Sequence, residues 1–356
     1  MSALDDLTAA GQSVWIDNIT RDLLDDGTIA RYIETLRVTG LTSNPSIFDK
    51  AVRGSSAYDN QVRALSQDGL SAEQVFFELA IDDLRRAADL FAPVHQATSG
   101  LDGWVSLEVS PLLADDTAQT VDAAISLAAK AQRDNLFIKI PGTPAGLPAI
   151  EAAIAAGVPV NVTLLFSTDQ YLAAADAYLS GLEQRHAEGK GLNVHSVASL
   201  FISRWDVAAN PTVPAELANK LGVAVGEDAF GAFRALIDSD RVQQLIAHGA
   251  PIQRLLFAST GTKDPSAPDT LYVDSLVGPD TVNTMPDGTL HAFADHGSVP
   301  AILPNDRSGA SQTLDRFAEA GVDLPALAER LQQEGKDAFV ASWRELIAAV
   351  ESKGTP

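Results

Sequence analysis

Asn135-Leu136-Phe137-Ile138-Lys139-Ile140-Pro141-Gly142-Thr143 is the stretch that decides both the fold and the chemistry of this chain. An apolar run of this length followed by turn residues predicts a short buried strand. Lys139 is the one charged residue inside the run, and lysine is almost never fully buried without a partner. Two interpretations are open: a functional amine, or a structural lysine that snorkels to water or pairs with a buried carboxylate.

The functional interpretation rests on amine chemistry. An ordinary lysine is protonated at neutral pH and is a poor nucleophile. Desolvation disfavours the charged ammonium, so a lysine in an apolar strand can attack a carbonyl group and form a Schiff base. The sequence around Lys139 therefore suggests a covalent catalyst.

The rest of the chain alternates predicted strands with predicted helices. Such alternation favours a parallel (β/α)8 TIM barrel of the α/β class. An open doubly wound sheet would usually carry a glycine-rich loop after its first strand, whereas this chain has Asp17-Asn18-Ile19-Thr20 there. The predicted strands span residues 13–17, 37–42, 104–108, 136–141, 158–164, 194–202, 254–259 and 281–285.

We expect a single domain over residues 1–356. The barrel occupies about 13–310, with helices inserted after the second strand and a helical C-terminal extension over about 311–352. A helix is also expected over residues 214–222, and no Pro/Gly-rich linker supports a split into two domains.

Composition narrows the possible partners. The chain has 356 residues, a net charge of −22 and no cysteine. Such acidity argues against binding to nucleic acid or to an anionic membrane surface, and any phosphate site must be built locally from a few cations. The lack of cysteine, of a basic-then-apolar N-terminal segment and of a long apolar run predicts a cytoplasmic protein without a membrane span.

Polar residues stand at the predicted ends of several strands, where the active site of a barrel lies. Each also has a structural explanation. Asp17 could cap a helix, Glu108 could be a salt-bridge partner inside the barrel, and Asn44 could make a turn before Pro45. Backbone groups could be satisfied by Asn161, Thr163 and Ser199. Together they surround one buried amine, which favours a catalytic site. The set is Asp17, Asn44, Glu108, Lys139, Asn161, Thr163, Ser199 and Ser259.

Several segments carry a resemblance to a known family. From about Ser13 to Met285 the chain resembles transaldolase in its longer bacterial form, and the resemblance includes the order of the segments along the chain. The matching segments are Trp15-Ile16-Asp17, Thr42-Ser43-Asn44-Pro45-Ser46, Ser106-Leu107-Glu108, Phe137-Ile138-Lys139-Ile140-Pro141, Asn161-Val162-Thr163-Leu164-Leu165-Phe166-Ser167 and Ser199-Leu200-Phe201-Ile202-Ser203-Arg204.

The resemblance implies transfer of a dihydroxyacetone unit between sugar phosphates in the pentose phosphate pathway, with no cofactor and no metal. It implies that Lys139 forms the Schiff base, that Glu108 and Thr163 hold a proton-shuttling water, and that Asp17 acts as base in carbon–carbon cleavage. Asn44, Asn161 and Ser199 would then hold the sugar hydroxyls and the enamine.

The resemblance also places a phosphate site and a specificity residue. Arg204 corresponds to a phosphate-binding arginine, although it could instead pair with Asp206 on the surface. After the seventh strand the family often has Ser-x-Arg, where this chain has Ser259-Thr260-Gly261-Thr262-Lys263, so Lys263 would supply the second cation and Ser259 a hydrogen bond. Phe201 matches transaldolases, whereas the related fructose 6-phosphate aldolases carry tyrosine there; it could also be core filling.

Other functions remain open from the sequence. One is an aldolase that releases free dihydroxyacetone, and another is a sugar-phosphate-binding barrel without catalysis. A metal-dependent aldolase lacks a visible ligand set; His291 and His296, five residues apart, are a weak candidate for zinc. We expect a monomer or a homodimer.

Overall fold

The computed structural model describes residues 2–355, and its strands close into one barrel. All eight strands are parallel, and each pairs with its neighbours in chain order, with β8 closing on β1. This arrangement with surrounding helices confirms the predicted (β/α)8 TIM barrel. The strands are β1 Ser13–Asp17, β2 Val38–Thr42, β3 Trp104–Glu108, β4 Leu136–Pro141, β5 Val160–Leu165, β6 Ser196–Phe201, β7 Gln253–Ala258 and β8 Val282–Met285.

The helices surround the barrel and extend it at two places. Helices α4 to α6 are inserted between β2 and β3, and α15 and α16 follow the barrel. The helices are α1 Ala3–Ala9, α2 Arg21–Asp25, α3 Thr28–Thr35, α4 Pro45–Gly54, α5 Asp59–Gln67, α6 Ala72–Ala97, α7 Thr117–Ala131, α8 Gly146–Ala156, α9 Thr168–Ala187, α10 Ser203–Ala209, α11 Leu221–Ile237, α12 Asp240–Ala247, α13 Leu271–Ser275, α14 Asp287–His296, α15 Ser308–Glu319 and α16 Leu324–Gly354.

No helix between residues 2 and 355 has both the length and the apolar character needed to cross a membrane. Residues 1 and 356, the ends of the predicted domain, lie outside the described part of the chain.

The helix predicted over residues 214–222 is wrong. Only a short 3-10 turn, Ala215–Leu217, forms there, and α11 begins at Leu221. The buried carboxylate of Asp206 accepts hydrogen bonds from the backbone nitrogens of Leu221 (2.9 Å) and Gly222 (3.1 Å). A helix start leaves such amides without partners, so a carboxylate at this point fixes where α11 begins.

The strand register brings the polar residues to one level of the barrel. Lys139 on β4 stands opposite Glu108 on β3 and opposite Asn161 on β5. Asp17 stands opposite Thr42 at the end of β1 and β2. These positions lie at or near the C-terminal ends of their strands, where barrel active sites are built.

Aromatic side chains fill the barrel below that level. Trp104 stacks on Phe137 with ring centroids 4.1 Å apart, and Trp15 lies 6.2 Å from Phe137. All of these rings are buried. The interior at this level is thus a packed core that separates the polar residues at the C-terminal end from the opposite end of the barrel.

Candidate active site

The Lys139 amine is held inside the barrel by two acceptors. Its Nζ donates hydrogen bonds to the carbonyl oxygen of Ser43 (3.1 Å) and to Glu108 Oε2 (3.3 Å). Only 4% of Lys139 is exposed, and 4% of Glu108. Lys139 is thus paired with a buried carboxylate, and it also lines the cavity described below.

Glu108 is the carboxyl group best placed to exchange protons with that amine. Burial raises its pKa to about 7, although the charge and hydrogen bond of Lys139 act in the opposite direction. Its Oε1 is buried without a hydrogen-bond partner among residues 2–355, as is Oγ1 of Thr163. A carboxyl group that titrates near neutral pH can both accept and return a proton.

Asp17 is the second carboxylate of the site. Burial raises its pKa, and the positive charge of Lys139 opposes that shift. Thr42 Oγ1 donates a hydrogen bond of 2.7 Å to Asp17 Oδ1 and lies 2.7 Å from Thr284 Oγ1. These hydroxyls orient the carboxylate, so two acidic groups in different surroundings flank one amine.

A buried hydrogen-bond chain crosses the barrel beside Lys139. Ser199 Oγ donates to Asn161 Oδ1 (2.7 Å), and Asn161 Nδ2 donates to Ser106 Oγ (3.2 Å). The sequence prediction identified Asn161 and Ser199 but not Ser106. The serine lies in the motif around Glu108, and its alternation with Glu108 along β3 was the available signal.

Asn44 has a structural role as a helix cap, at the position where the sequence also allowed a turn before Pro45. Its Oδ1 accepts a hydrogen bond of 3.1 Å from the backbone nitrogen of Ile47 and caps α4, with Pro45 at the first helical position. The same side chain lines the cavity. Capping therefore fixes Asn44 at the mouth without removing it from the site.

A cavity of about 330 Å³ opens above the amine, a size typical of small-ligand sites. It brings together most of the predicted site residues, while Glu108, Asn161 and Thr163 lie buried at the level of Lys139 or just beyond it. The predicted residues that line it are Asp17, Asn44, Lys139, Ser199, Phe201, Arg204, Ser259 and Lys263.

Three cations surround the cavity mouth. Arg204 and Lys263 were predicted, whereas Lys50 on α4 was not. All three are exposed, and none forms an ion pair within the described chain. The structural alternative for Arg204, a surface ion pair with Asp206, does not form, because Asp206 is buried and accepts hydrogen bonds at the start of α11. A positive mouth on a chain of net charge −22 is suited to a phosphate group.

Ser259 follows β7 in a left-handed backbone conformation, with φ of 55°. Its Oγ lies 2.9 Å from Ser203 Oγ, and its carbonyl accepts a hydrogen bond from the Ser203 backbone nitrogen (3.1 Å). This conformation is uncommon for residues other than glycine and often occurs at ligand sites. It places Ser259 beside the start of α10, next to Arg204.

The cavity also has a wall that no local sequence pattern indicated. The ring centroid of Phe339, on the C-terminal helix α16, lies 5.7 Å from Lys139 Nζ. The apolar spacing of α16 predicts that Phe339 faces the protein but does not say which surface it meets.

The histidines considered for zinc have separate partners. His291 Nε2 lies 2.9 Å from the hydroxyl of Tyr32, and His296 Nε2 lies 2.8 Å from Asp269. Within the described residues, no group of three or more histidine, aspartate or glutamate side chains could hold a metal ion.

Comparisons with known proteins identify the family of this chain. The profile of the family described as Transaldolase/Fructose-6-phosphate aldolase matches residues 14–350. A protein named Transaldolase from Mycolicibacterium smegmatis is 44% identical over 98% of this chain and 96% of its own length. Another from Thermobifida fusca is 45% identical over 98% and 97%. Transaldolase 2 from Nostoc punctiforme is 40% identical over 96% and 95%. The resemblance seen in the sequence motifs is confirmed, and the chain belongs to the Transaldolase/Fructose-6-phosphate aldolase family.

Proposed function

We propose that this chain is a transaldolase that carries a dihydroxyacetone unit on Lys139. The donor is sedoheptulose 7-phosphate or fructose 6-phosphate, and the acceptor is glyceraldehyde 3-phosphate or erythrose 4-phosphate, as in the pentose phosphate pathway. One observation carries the proposal: a buried lysine amine at the end of a barrel strand, 3.3 Å from one carboxylate and sharing a cavity with a second. Such an amine is a Schiff-base nucleophile rather than a structural cation.

The first stage of the proposed reaction forms the imine. Glu108 Oε2 accepts a hydrogen bond from Lys139 Nζ and takes its proton, which frees the amine to attack the donor ketone. The carbinolamine then loses water with proton transfer through a water held between Glu108 Oε1 and Thr163 Oγ1. Among residues 2–355 neither of these buried atoms has a hydrogen-bond partner, which supports placing the water there.

The second stage breaks the C3–C4 bond. Asp17 takes the proton from the C4 hydroxyl, and the electron pair of the C3–C4 bond moves into the protonated imine. The aldose leaves as an aldehyde, while the three-carbon unit stays on Lys139 as an enamine. The hydrogen bond from Thr42 holds the Asp17 carboxylate in position for this step.

The remaining polar residues bind the carried unit. Asn44 and Ser199 line the cavity, and Asn161 fixes the Ser199 hydroxyl at 2.7 Å. Phe201 presents an apolar ring where a tyrosine would present a hydroxyl. Without that hydroxyl the enamine survives until an aldehyde acceptor arrives.

Borohydride reduction tests the covalent step directly. Incubation with fructose 6-phosphate and borohydride should leave a reduced three-carbon adduct on the peptide that contains Lys139, detected by mass spectrometry. Adding erythrose 4-phosphate before the reductant should lower the adduct and yield sedoheptulose 7-phosphate. No adduct, or an adduct on another lysine, would contradict the proposal.

Arg204, Lys263 and Ser259 form the proposed phosphate site. Arg204→Ala and Lys263→Ala should each raise KM for fructose 6-phosphate about tenfold, since each removes a charge-assisted hydrogen bond of about 1.5 kcal/mol. The turnover of unphosphorylated fructose is the matched control and should not change. Lys263→Arg should lower KM or leave it unaltered, because arginine contacts phosphate with two parallel bonds. Equal losses with both sugars would refute the assignment.

We propose that the whole chain acts as one domain, since α16 contributes Phe339 to the cavity walled by the barrel strands. We further propose that the chain is a cytoplasmic monomer or homodimer.

We also propose that it binds neither nucleic acid nor membranes. The net charge of −22 supports the absence of these two partners, because nucleic acid and anionic membrane surfaces attract positively rather than negatively charged proteins.

A further inference from the structure

Phe339 is the one residue of the C-terminal helix whose ring reaches the reactive amine. Its ring centroid lies 5.7 Å from Lys139 Nζ, and only 8% of the residue is exposed. Phe201 also lines the cavity, and its ring centroid lies 5.3 Å from that of Phe166. The amine thus faces a space with an aromatic ring from β6 and another from α16.

Helix α16 makes polar contacts on both sides of Phe339, and these contacts fix the part of the helix that carries the ring. On the N-terminal side, Gln332 Nε2 donates hydrogen bonds to the carbonyl oxygens of Gly142 (3.1 Å) and Leu164 (2.9 Å), just beyond the Lys139 strand and near the end of β5. On the C-terminal side, Ser342 Oγ lies 2.7 Å from Ser46 Oγ at the start of α4. The helix is therefore tied to the loop after β4, to the end of β5 and to the start of α4.

Two backbone features allow this close approach. Leu164 has a left-handed backbone with φ of 59°, and it is the residue whose carbonyl Gln332 binds. A Cβ atom at Gly335 would lie 2.9 Å from Leu164 Cδ2, so a larger residue there would push α16 away from β5. A strained backbone conformation such as that of Leu164 persists only where the surrounding contacts enforce it, and such conformations often occur next to functional sites.

We infer that Phe339 determines whether the carried three-carbon unit is transferred or hydrolysed, an inference that rests on the proposed function. Hydrolysis needs a proton delivered to C3 of the enamine, which regenerates the iminium ion. A water oxygen then bonds to C2, and the C2–N bond breaks as the ketone forms. One proton of that water passes to the Lys139 nitrogen, and the other replaces the proton that was delivered to C3. Free dihydroxyacetone leaves.

The apolar ring of Phe339 removes one approach for that water. A buried aromatic surface offers no hydrogen bond to a water molecule, whereas a polar or open surface would hold one beside the enamine. The aldehyde acceptor instead enters through the cationic mouth, which its phosphate group matches. Phe339 is thus a specificity-determining residue that favours the acceptor over water.

The test compares two rates in variants of Phe339. With fructose 6-phosphate alone, the release of free dihydroxyacetone is measured; with erythrose 4-phosphate added, the formation of sedoheptulose 7-phosphate is measured. Phe339→Ala should raise the ratio of release to transfer about tenfold, because it opens the shielded face to water. Phe339→Val and Phe339→Leu should give smaller rises, in order of the volume removed.

Trp343 supplies a matched control on the same helix. Its ring packs on Phe76 and Phe77, with centroids 5.0 and 5.6 Å away, and not on the cavity. Trp343→Phe should lower the melting temperature without changing the ratio. The graded variants keep the test usable if Phe339→Ala fails to fold.

The outcomes separate this inference from the proposed function. If borohydride traps the three-carbon adduct on Lys139 but the ratio stays at the wild-type value in the Ala, Val and Leu variants, the role of Phe339 is wrong and the transaldolase assignment stands. A ratio that rises equally in Trp343→Phe would also overturn it, because general loosening of α16 would then be the cause. Absence of any adduct in the wild-type protein would refute the proposed function itself.

Discussion

Lys139→Ala should lower kcat/KM for transfer by at least about 10³-fold, because it removes the nucleophile that forms the covalent intermediate. The other two lysines that line the cavity, Lys50 and Lys263, are exposed, and Glu108 pairs with Lys139 rather than with either of them, so neither is placed to replace the buried amine. Coupled assay of product formation from fructose 6-phosphate and erythrose 4-phosphate measures the loss. Borohydride should leave no adduct on the variant.

The control for this prediction is a lysine of the same chain at the opposite end of the barrel. Lys190 precedes β6, is about half exposed and pairs with Glu188 on the surface. Lys190→Ala should retain wild-type activity and trapping. Removing Lys139 also leaves Glu108 buried without its partner, so thermal unfolding of both variants separates loss of fold from loss of chemistry. A folded Lys139→Ala protein with near-normal transfer would end the Schiff-base proposal.

Asp17→Asn should lower kcat by about 10² to 10⁴-fold, the range typical of a lost general base. The amide keeps the shape of the side chain and can still accept the hydrogen bond from Thr42, so the site should stay assembled. Schiff-base formation depends on Lys139 and Glu108 and should persist. The variant should therefore accumulate the donor imine before the C3–C4 bond breaks.

Mass spectrometry distinguishes a block at cleavage of the C3–C4 bond from a general loss of activity. Borohydride should trap the intact six-carbon phosphorylated donor on Lys139 in Asp17→Asn, and the three-carbon unit in the wild-type protein. Asp22→Asn is the control, because Asp22 is an exposed carboxylate on the following helix, α2. A three-carbon adduct formed by Asp17→Asn at the wild-type rate would show that another group acts as the base.

Local sequence was sufficient for the barrel. Each strand is a short run of apolar residues bounded by turn signals. Some of the helices between them begin at a side-chain cap, such as Asp116 for α7 and Ser167 for α9, so the alternation of strands and helices can be read from local sequence. The prediction failed at α11, where the carboxylate of Asp206 from another segment decides the first residue. A helix start of that kind depends on a contact that the nearby sequence does not contain.

The sequence by itself determined the eight-stranded barrel and the polar residues at the ends of its strands, because parallel strands of a barrel deliver their C-terminal ends to one place. The sequence also identified Lys139 as one of these residues, because it is the one charged residue in an otherwise apolar strand. Only the tertiary structure decided that Lys50 from α4 and Phe339 from α16 reach the same cavity. Those two residues obey ordinary helical patterns, and the surface a helix face meets depends on contacts such as the Gln332 hydrogen bonds, which join segments far apart in the chain.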